Sequence, residues 1–273
     1  MSQNKYDLFC DIRDLWVTMT HLLVFIIGLI IGSFLNVCIY RTPRNESLMY
    51  PGSRCVSCKK PIPWHDNIPL LSYLMLGGRC RVCHEKIAFR YFAVELITAL
   101  CFLILFMNFR FNYVFWIYSL LTFSLIAVTF IDLEFQIIPD RISLVGIFAG
   151  IILSIIFPGL QNAFTWKTGF LNSIIGALAG GGLIYLTGIL GRLAFKKESM
   201  GGGDVKLMAM LGAFLGWKIA VLIFFLAPFF GAPIGIYMKF VKKEDIIPYG
   251  PHISLSSFVA MVWGYKIIGL LLP

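Results

Sequence analysis

Charge is scarce in this chain, and two aspartates sit where charge is most costly. Asp132 lies in Thr129-Phe-Ile-Asp-Leu-Glu-Phe-Gln-Ile-Ile-Pro139-Asp140, at the end of an apolar run. Asp204 follows three glycines in Gly201-Gly-Gly-Asp204-Val-Lys206 and opens another such run. Ionisable groups in or beside membrane-length apolar segments are functional candidates by default. Two carboxylates brought close cannot both ionise easily, so one keeps a proton while the other serves as base. Such a pair can draw a proton from water and hand one to a departing amine, which is peptide hydrolysis without a covalent intermediate. The glycines before Asp204 allow a substrate chain to come close. Structural readings exist for both residues: an N-cap for Asp204 and an interfacial charge near Arg141 for Asp132. Residue types alone leave these open. Glu134 and Asp140 compete locally with Asp132, and Asp140, after a proline and before an apolar run, reads as an N-cap.

A second constellation is Cys55-x-x-Cys58 followed, after 21 residues, by Cys80-x-x-Cys83. Two such knuckles supply four thiolates, which suits tetrahedral Zn2+. Paired disulfides are the alternative, and a cytosolic location disfavours them. A closed four-cysteine site has no open coordination position, so the metal would fold the segment and perform no chemistry. Cys10, Cys38 and Cys101 read as packing residues.

The elements that must position these groups are membrane helices. Of 273 residues 59% are hydrophobic and 14% charged, with mean hydropathy +0.83, whereas soluble domains run near ~45–50% and ~25%. No soluble fold of this size hides so much apolar surface. With ~20 apolar residues per crossing, spans are expected at 19–39, 92–109, 113–131, 142–157, 169–190, 205–215, 219–238 and 254–271. The fold class is therefore all-α and polytopic, with about eight transmembrane helices. The short 205–215 segment is either a crossing or a re-entrant turn. Nothing at the start reads as a cleavable leader, so the first span is expected to remain.

If residues 41–91 are cytoplasmic, lysine and arginine divide 17 against 6 in favour of that side, or 16 against 7 if 205–215 turns back. Asp132 and Asp204 fall at the cytoplasmic boundary either way. The net charge of +9 is thus a topology signal, and no nucleic-acid partner is expected. Residues 41–90 hold 12 of the 37 charged residues and four of the seven cysteines. The expected division is residues 1–40 with the first span, a cytoplasmic zinc-knuckle module at 41–91, and a helical domain at 92–273. No internal repeat is expected.

The chain resembles the prepilin peptidases, or type IV leader peptidases, a family of membrane aspartic proteases. The resemblance rests on Gly32-Ser-Phe-Leu-Asn-Val37 with Arg41 and Pro43, the two knuckles, and Trp64-His-Asp-Asn-Ile-Pro69. It continues through Gly78-Arg-Cys-Arg81, Arg90-Tyr91 with Glu95, the Asp132 segment, the glycine-Asp204 motif and Ile247-Pro-Tyr-Gly-Pro251. It implies that Asp132 and Asp204 are the catalytic pair. It implies removal of the basic leader of type IV prepilin or pseudopilin precursors, at the cytoplasmic face of the bacterial inner membrane. Members with the cysteine module commonly also methylate the new N-terminus with S-adenosylmethionine. No glycine-rich nucleotide loop follows a strand, so the cofactor pocket is unassigned. Trp64, Asp66, Asn67 and Glu95 are lining candidates by resemblance only, with an ion pair to Arg90 the competing reading for Glu95. Asn36, inside the first span, reads as a bond to a neighbouring helix.

Three other functions compete. A methyltransferase with a degenerate protease pair is opposed by the intact aspartate motifs. A transporter would place its carboxylates nearer the midplane. A presenilin-like protease would lack the cysteine module.

Overall fold

The computed structural model describes residues 3–196, 200–237 and 248–271, and the side chains from Trp16 onward apart from Phe195 and residues 234–237. Lys197, Lys239, Lys242, Lys243 and Ile247, used above for topology or resemblance, lie outside the described residues. Among those residues the chain is helical, with two isolated β-bridges and no named strand. The helices are α1 (Gln3–Arg41), α2 (Leu71–Met75), α3 (Phe89–Phe109), α4 (Tyr113–Phe135), α5 (Asp140–Ile156), α6 (Trp166–Phe195), α7 (Gly202–Tyr237) and α8 (Gly250–Leu271). Helix α1 starts well before the expected span because residues 3–18 contain no glycine or proline to stop it. The chain forms two compact units, Met1–Phe123 and Ser124–Pro273, with the boundary inside α4.

In the first unit α1 and α3 run antiparallel in very close contact. A Cβ at Gly28 would lie 2.6 Å from the Ala99 backbone, and one at Gly32 would lie 2.7 Å from that of Glu95. This Gly-x-x-x-Gly spacing lets two membrane helices touch along their backbones. One turn further, Asn36 donates to the Tyr91 carbonyl at 3.0 Å, the helix-to-helix bond expected of it. The segment between α1 and α3 begins at Arg41, whose buried guanidinium donates to the carbonyls of Ser47 (2.8 Å), Leu48, Pro51 (2.5 Å) and Gly52.

That segment does contain a repeat, contrary to expectation. Arg54-Cys55-x-x-Cys58 and Arg79-Cys80-x-x-Cys83 make the same turn 25 residues apart. Lys59 and His84 donate back to Cys55 and Cys80, while Cys55 and Cys80 donate to Lys60 and Glu85. Arg54 bridges Pro61, Arg79 bridges Lys86, and both Lys59 and His84 take a left-handed φ. The repeat is short, Arg-Cys-x-x-Cys in both copies, and the backbone geometry shows that the two knuckles also turn alike.

Among the described residues, six helices are long and apolar enough to cross a membrane, which makes this a multi-pass membrane protein by length and composition. The expected count of eight differs from this in two places. The 142–157 span appears as α5, only 17 residues long. The 205–215 and 219–238 spans appear as one element, α7, broken at Gly216 (φ 78°, ψ 169°). That break reverses the chain. A Cβ at Gly180 of α6 would touch both the Met208 carbonyl and, at 3.5 Å, the Ala220 side chain. Twelve residues of straight helix would separate those two by ~18 Å. Helix α7 is therefore a hairpin of two arms with α6 against both.

A buried polar clamp holds the hairpin's bend. Gln161 Nε2 (2.7 Å), Ser173 Oγ (2.8 Å) and Ser154 Oγ (3.2 Å) all donate to the Ala213 carbonyl, just before the break at Gly216. The end opposite Asp204 thus carries Trp217–Lys218 beside the loop leading to Trp166–Lys167, two tryptophans with lysines over their rings. Aromatic residues of this kind favour membrane–water interfaces.

Candidate active site and four-cysteine centre

Both aspartates belong to the second unit, and the fold brings them to one place. Asp132 sits in the last turn of α4 and Asp204 in the first turn of α7, 6% and 9% exposed. They line a single cavity of about 290 Å³, together with Gln136, Ile138, Asp140, Gly201 and Gly203. They are near enough for the charge of Asp132 to act on Asp204.

Neither structural alternative describes them well. Asp204 is not the N-cap but the third helical residue, one Oδ accepting from the Gly201 amide at 3.2 Å, half of a capping box. The carboxylate of Asp132 forms no ion pair with Arg141 and accepts from the Gly250 amide at 2.9 Å, at the first residue of α8. An amide at a helix N-terminus favours a negative partner. A Cβ at Gly250 would lie 2.7 Å from the same Oδ2, so a larger residue there would force the carboxylate to shift. Gly203 has a similar reason to be glycine, because a Cβ would press on Ile138 at 2.9 Å across the cavity wall.

Asp140 departs from its expected role. Pro139 is the N-cap of α5, and Asp140, the first helical residue, pairs with Lys206 at 2.7 Å. That bridge ties the start of α5 to the start of α7 and leaves Asp140, which lines the same cavity, paired and exposed, unlike the buried Asp132 and Asp204. Tyr249 approaches from the α8 side. Burial first, and then the negative charge of Asp204, push its phenol up to about 12, so it stays protonated. Sequence reading used residues 247–251 only as a mark of resemblance and missed the contact of Gly250 with Asp132. A glycine-proline pair opening an apolar run was the available signal.

In the first unit, the ligand atoms of Cys55, Cys58, Cys80 and Cys83 all lie within 4.8 Å of one another. The sulfurs of Cys55 and Cys83 are 3.8 Å apart. A tetrahedron with ~2.3 Å metal–sulfur bonds has edges of ~3.8 Å, so the cluster fits a four-thiolate metal ion. Amides of Cys83 and Val82 pull the Cys80 thiol down to about 6, toward the thiolate a metal requires. At Cys83 the Glu85 amide is outweighed by desolvation and the neighbouring sulfurs, which push the thiol up to about 11, so a metal would have to displace the proton there.

The candidate cofactor-lining residues turn out to be scaffold in part. Asp66 takes a two-pronged bond from Arg81 (2.6 and 2.7 Å), which holds its carboxyl below the usual range. Glu95 does not pair with Arg90. It accepts the Leu70 amide at 2.8 Å and is bonded to Ser33 of α1. Both carboxylates, Asp66 and Glu95, are thus engaged within the first unit's own scaffold.

Helices of membrane length, a buried carboxylate pair on one cavity and a four-thiolate centre define a polytopic membrane protein built for acid–base chemistry. Residues 26–109 match the Bacterial Peptidase A24 N-terminal domain, and residues 118–236 match the Type IV leader peptidase family. Similar proteins are the prepilin leader peptidase/N-methyltransferases of Aeromonas salmonicida, 35% identical over 90% of this chain and 91% of that one, and of Pseudomonas aeruginosa, 34% identical over 89% and 90%. That of Myxococcus xanthus is 39% identical over 79% of this chain and 62% of its own. No solved structure matches. The chain belongs to the type IV leader peptidase family.

Proposed function

We propose that this chain is a membrane aspartic endopeptidase that cleaves the basic leader from type IV prepilin or pseudopilin precursors and methylates the exposed N-terminus with S-adenosylmethionine. The observation that carries the peptidase reading is the meeting on one cavity of Asp132 and Asp204, which lie 72 residues apart in sequence. One carboxylate takes a proton from water as the oxygen attacks the scissile carbonyl. The other, protonated, first hydrogen-bonds that carbonyl and then supplies the proton the leaving amine needs. The Gly250 amide steadies Asp132 in this exchange. The cavity's place at the ends of α4 and α7 suits a substrate whose apolar helix stays in the bilayer while its cleavage site lies at the headgroups.

The names of the relatives support both activities. Methylation draws on the same names and on the cysteine module, and no step of it is assigned to residues here. Zn2+ at Cys55, Cys58, Cys80 and Cys83 would order the module without entering the chemistry. The basic-residue balance supports a cytoplasmic module and active site in the bacterial inner membrane. The α7 hairpin supports the crossing form of 205–215, because its bend lies level with Trp166 at the far end.

The test is co-expression with a pilin-like precursor, following precursor size and mapping the mature N-terminus by mass spectrometry. Wild type removes the leader and adds a methyl group. Asp132→Asn and Asp204→Asn each reduce cleavage at least ~100-fold, in the range of lost acid–base catalysis. Normal processing by either variant removes that residue from the catalytic pair.

A further inference from the structure

Helix α2 and the turn before it, residues 68–76, lie beside the first two turns of α3 and expose an apolar ridge. Two contacts fix the depth. The Leu70 amide bonds Glu95, and the Tyr73 ring lies 5.5 Å from that of Phe92. Glu95 is the seventh residue of α3, ~9 Å along its axis. Helix α3 has 21 residues, ~30 Å, hardly more than the hydrocarbon thickness it must cross. From the other side, Glu95 meets Gly32, nine residues or ~13 Å before the end of α1 at Arg41. By both measures α2 sits below the point where the chain leaves the membrane helices.

The segment is also built for a place without water. Its Leu70 has a positive φ, yet the backbone donors around it are satisfied internally. Ile68 donates to Ser72 Oγ, Leu70 to Glu95, Leu71 to Pro69, Ser72 to Ile68, Leu74 to Leu70 and Leu76 to Ser72. Irregular backbone at membrane depth is tolerated only when its polar groups find such partners. The side chains pointing away from α3, Leu71, Leu74 and Met75, are exposed and apolar.

We infer that residues 68–76 form an interfacial wedge whose Leu71, Leu74 and Met75 insert among lipid acyl chains at the headgroup boundary, with Glu95 as its buried anchor. Arg79, exposed and close behind the ridge in sequence, suits the anionic headgroups above it. The inference rests on the membrane crossing of α1 and α3 and does not depend on the peptidase reading.

Two equally exposed methionines in the unmodified protein provide the test, since Met75 is 84% and Met49 88% exposed. In single-copy lipid nanodiscs without precursor, pulsed oxidation read by peptide mass spectrometry modifies Met49 at least ~10-fold faster than Met75. Equal rates, fast or slow, overturn the insertion. A photoreactive benzoyl group at position 74, in protein that still cleaves precursor, then identifies the neighbour. Adducts with lipid mass support the wedge. Adducts to added precursor or to a second copy, or no adduct, overturn lipid as the occupant.

Discussion

Among the residues around Asp132, Gly250 has the clearest physical constraint. Its amide bonds the carboxylate, and its missing side chain makes room for that same oxygen. Gly250→Ala keeps the donor but places a Cβ 2.7 Å from Oδ2, so Asp132 must move. A displacement of about an ångström at a reacting group costs up to ~100-fold in rate. The expected result is a 10- to 100-fold drop in kcat for leader removal with little change in KM, measured with purified enzyme and precursor peptide. An unchanged kcat means that the α8 amide has no part in positioning Asp132.

Among the elements, the α7 hairpin decides where Asp204 points. Gly216 takes φ 78° and ψ 169°, a region essentially restricted to glycine, and a side chain there costs ~1–3 kcal/mol. Gly216→Ala should lower the thermal midpoint in detergent by several degrees and weaken cleavage, because the first arm carries Asp204. Gln161→Ala tests the same bend from outside. It removes one of three donors to the Ala213 carbonyl and the donor to Ser154 Oγ, so a smaller loss of ~1–2 kcal/mol is expected by the same unfolding assay. A midpoint unchanged in both variants would show that the bend needs neither the glycine nor the clamp.

The whole molecule comprises two units with separable demands. The cysteine cluster belongs to the first, the carboxylate pair to the second. Replacing Cys55 and Cys80 with serine removes one ligand from each knuckle, and should lower bound zinc and N-methylation more than leader cleavage. Elemental analysis and mass spectrometry of the product read the two effects together. Metal content equal to wild type would rule out the cluster as the zinc site.

Sequence was enough to establish a membrane-spanning chain and a four-cysteine cluster, and to single out through resemblance the two aspartates that the fold brings to one cavity. Apolar run length and ligand spacing are local properties, and a membrane removes most alternatives to helix. It did not show that Asp140 would pair with Lys206, that Glu95 would hold the Leu70 amide instead of Arg90, or that a glycine 118 residues away would bond Asp132. Nor did it show that two expected spans were arms of one hairpin. These depend on which helix ends share a level and how closely backbones pass. Packing between segments distant in sequence fixes both, and only the tertiary structure contains that packing.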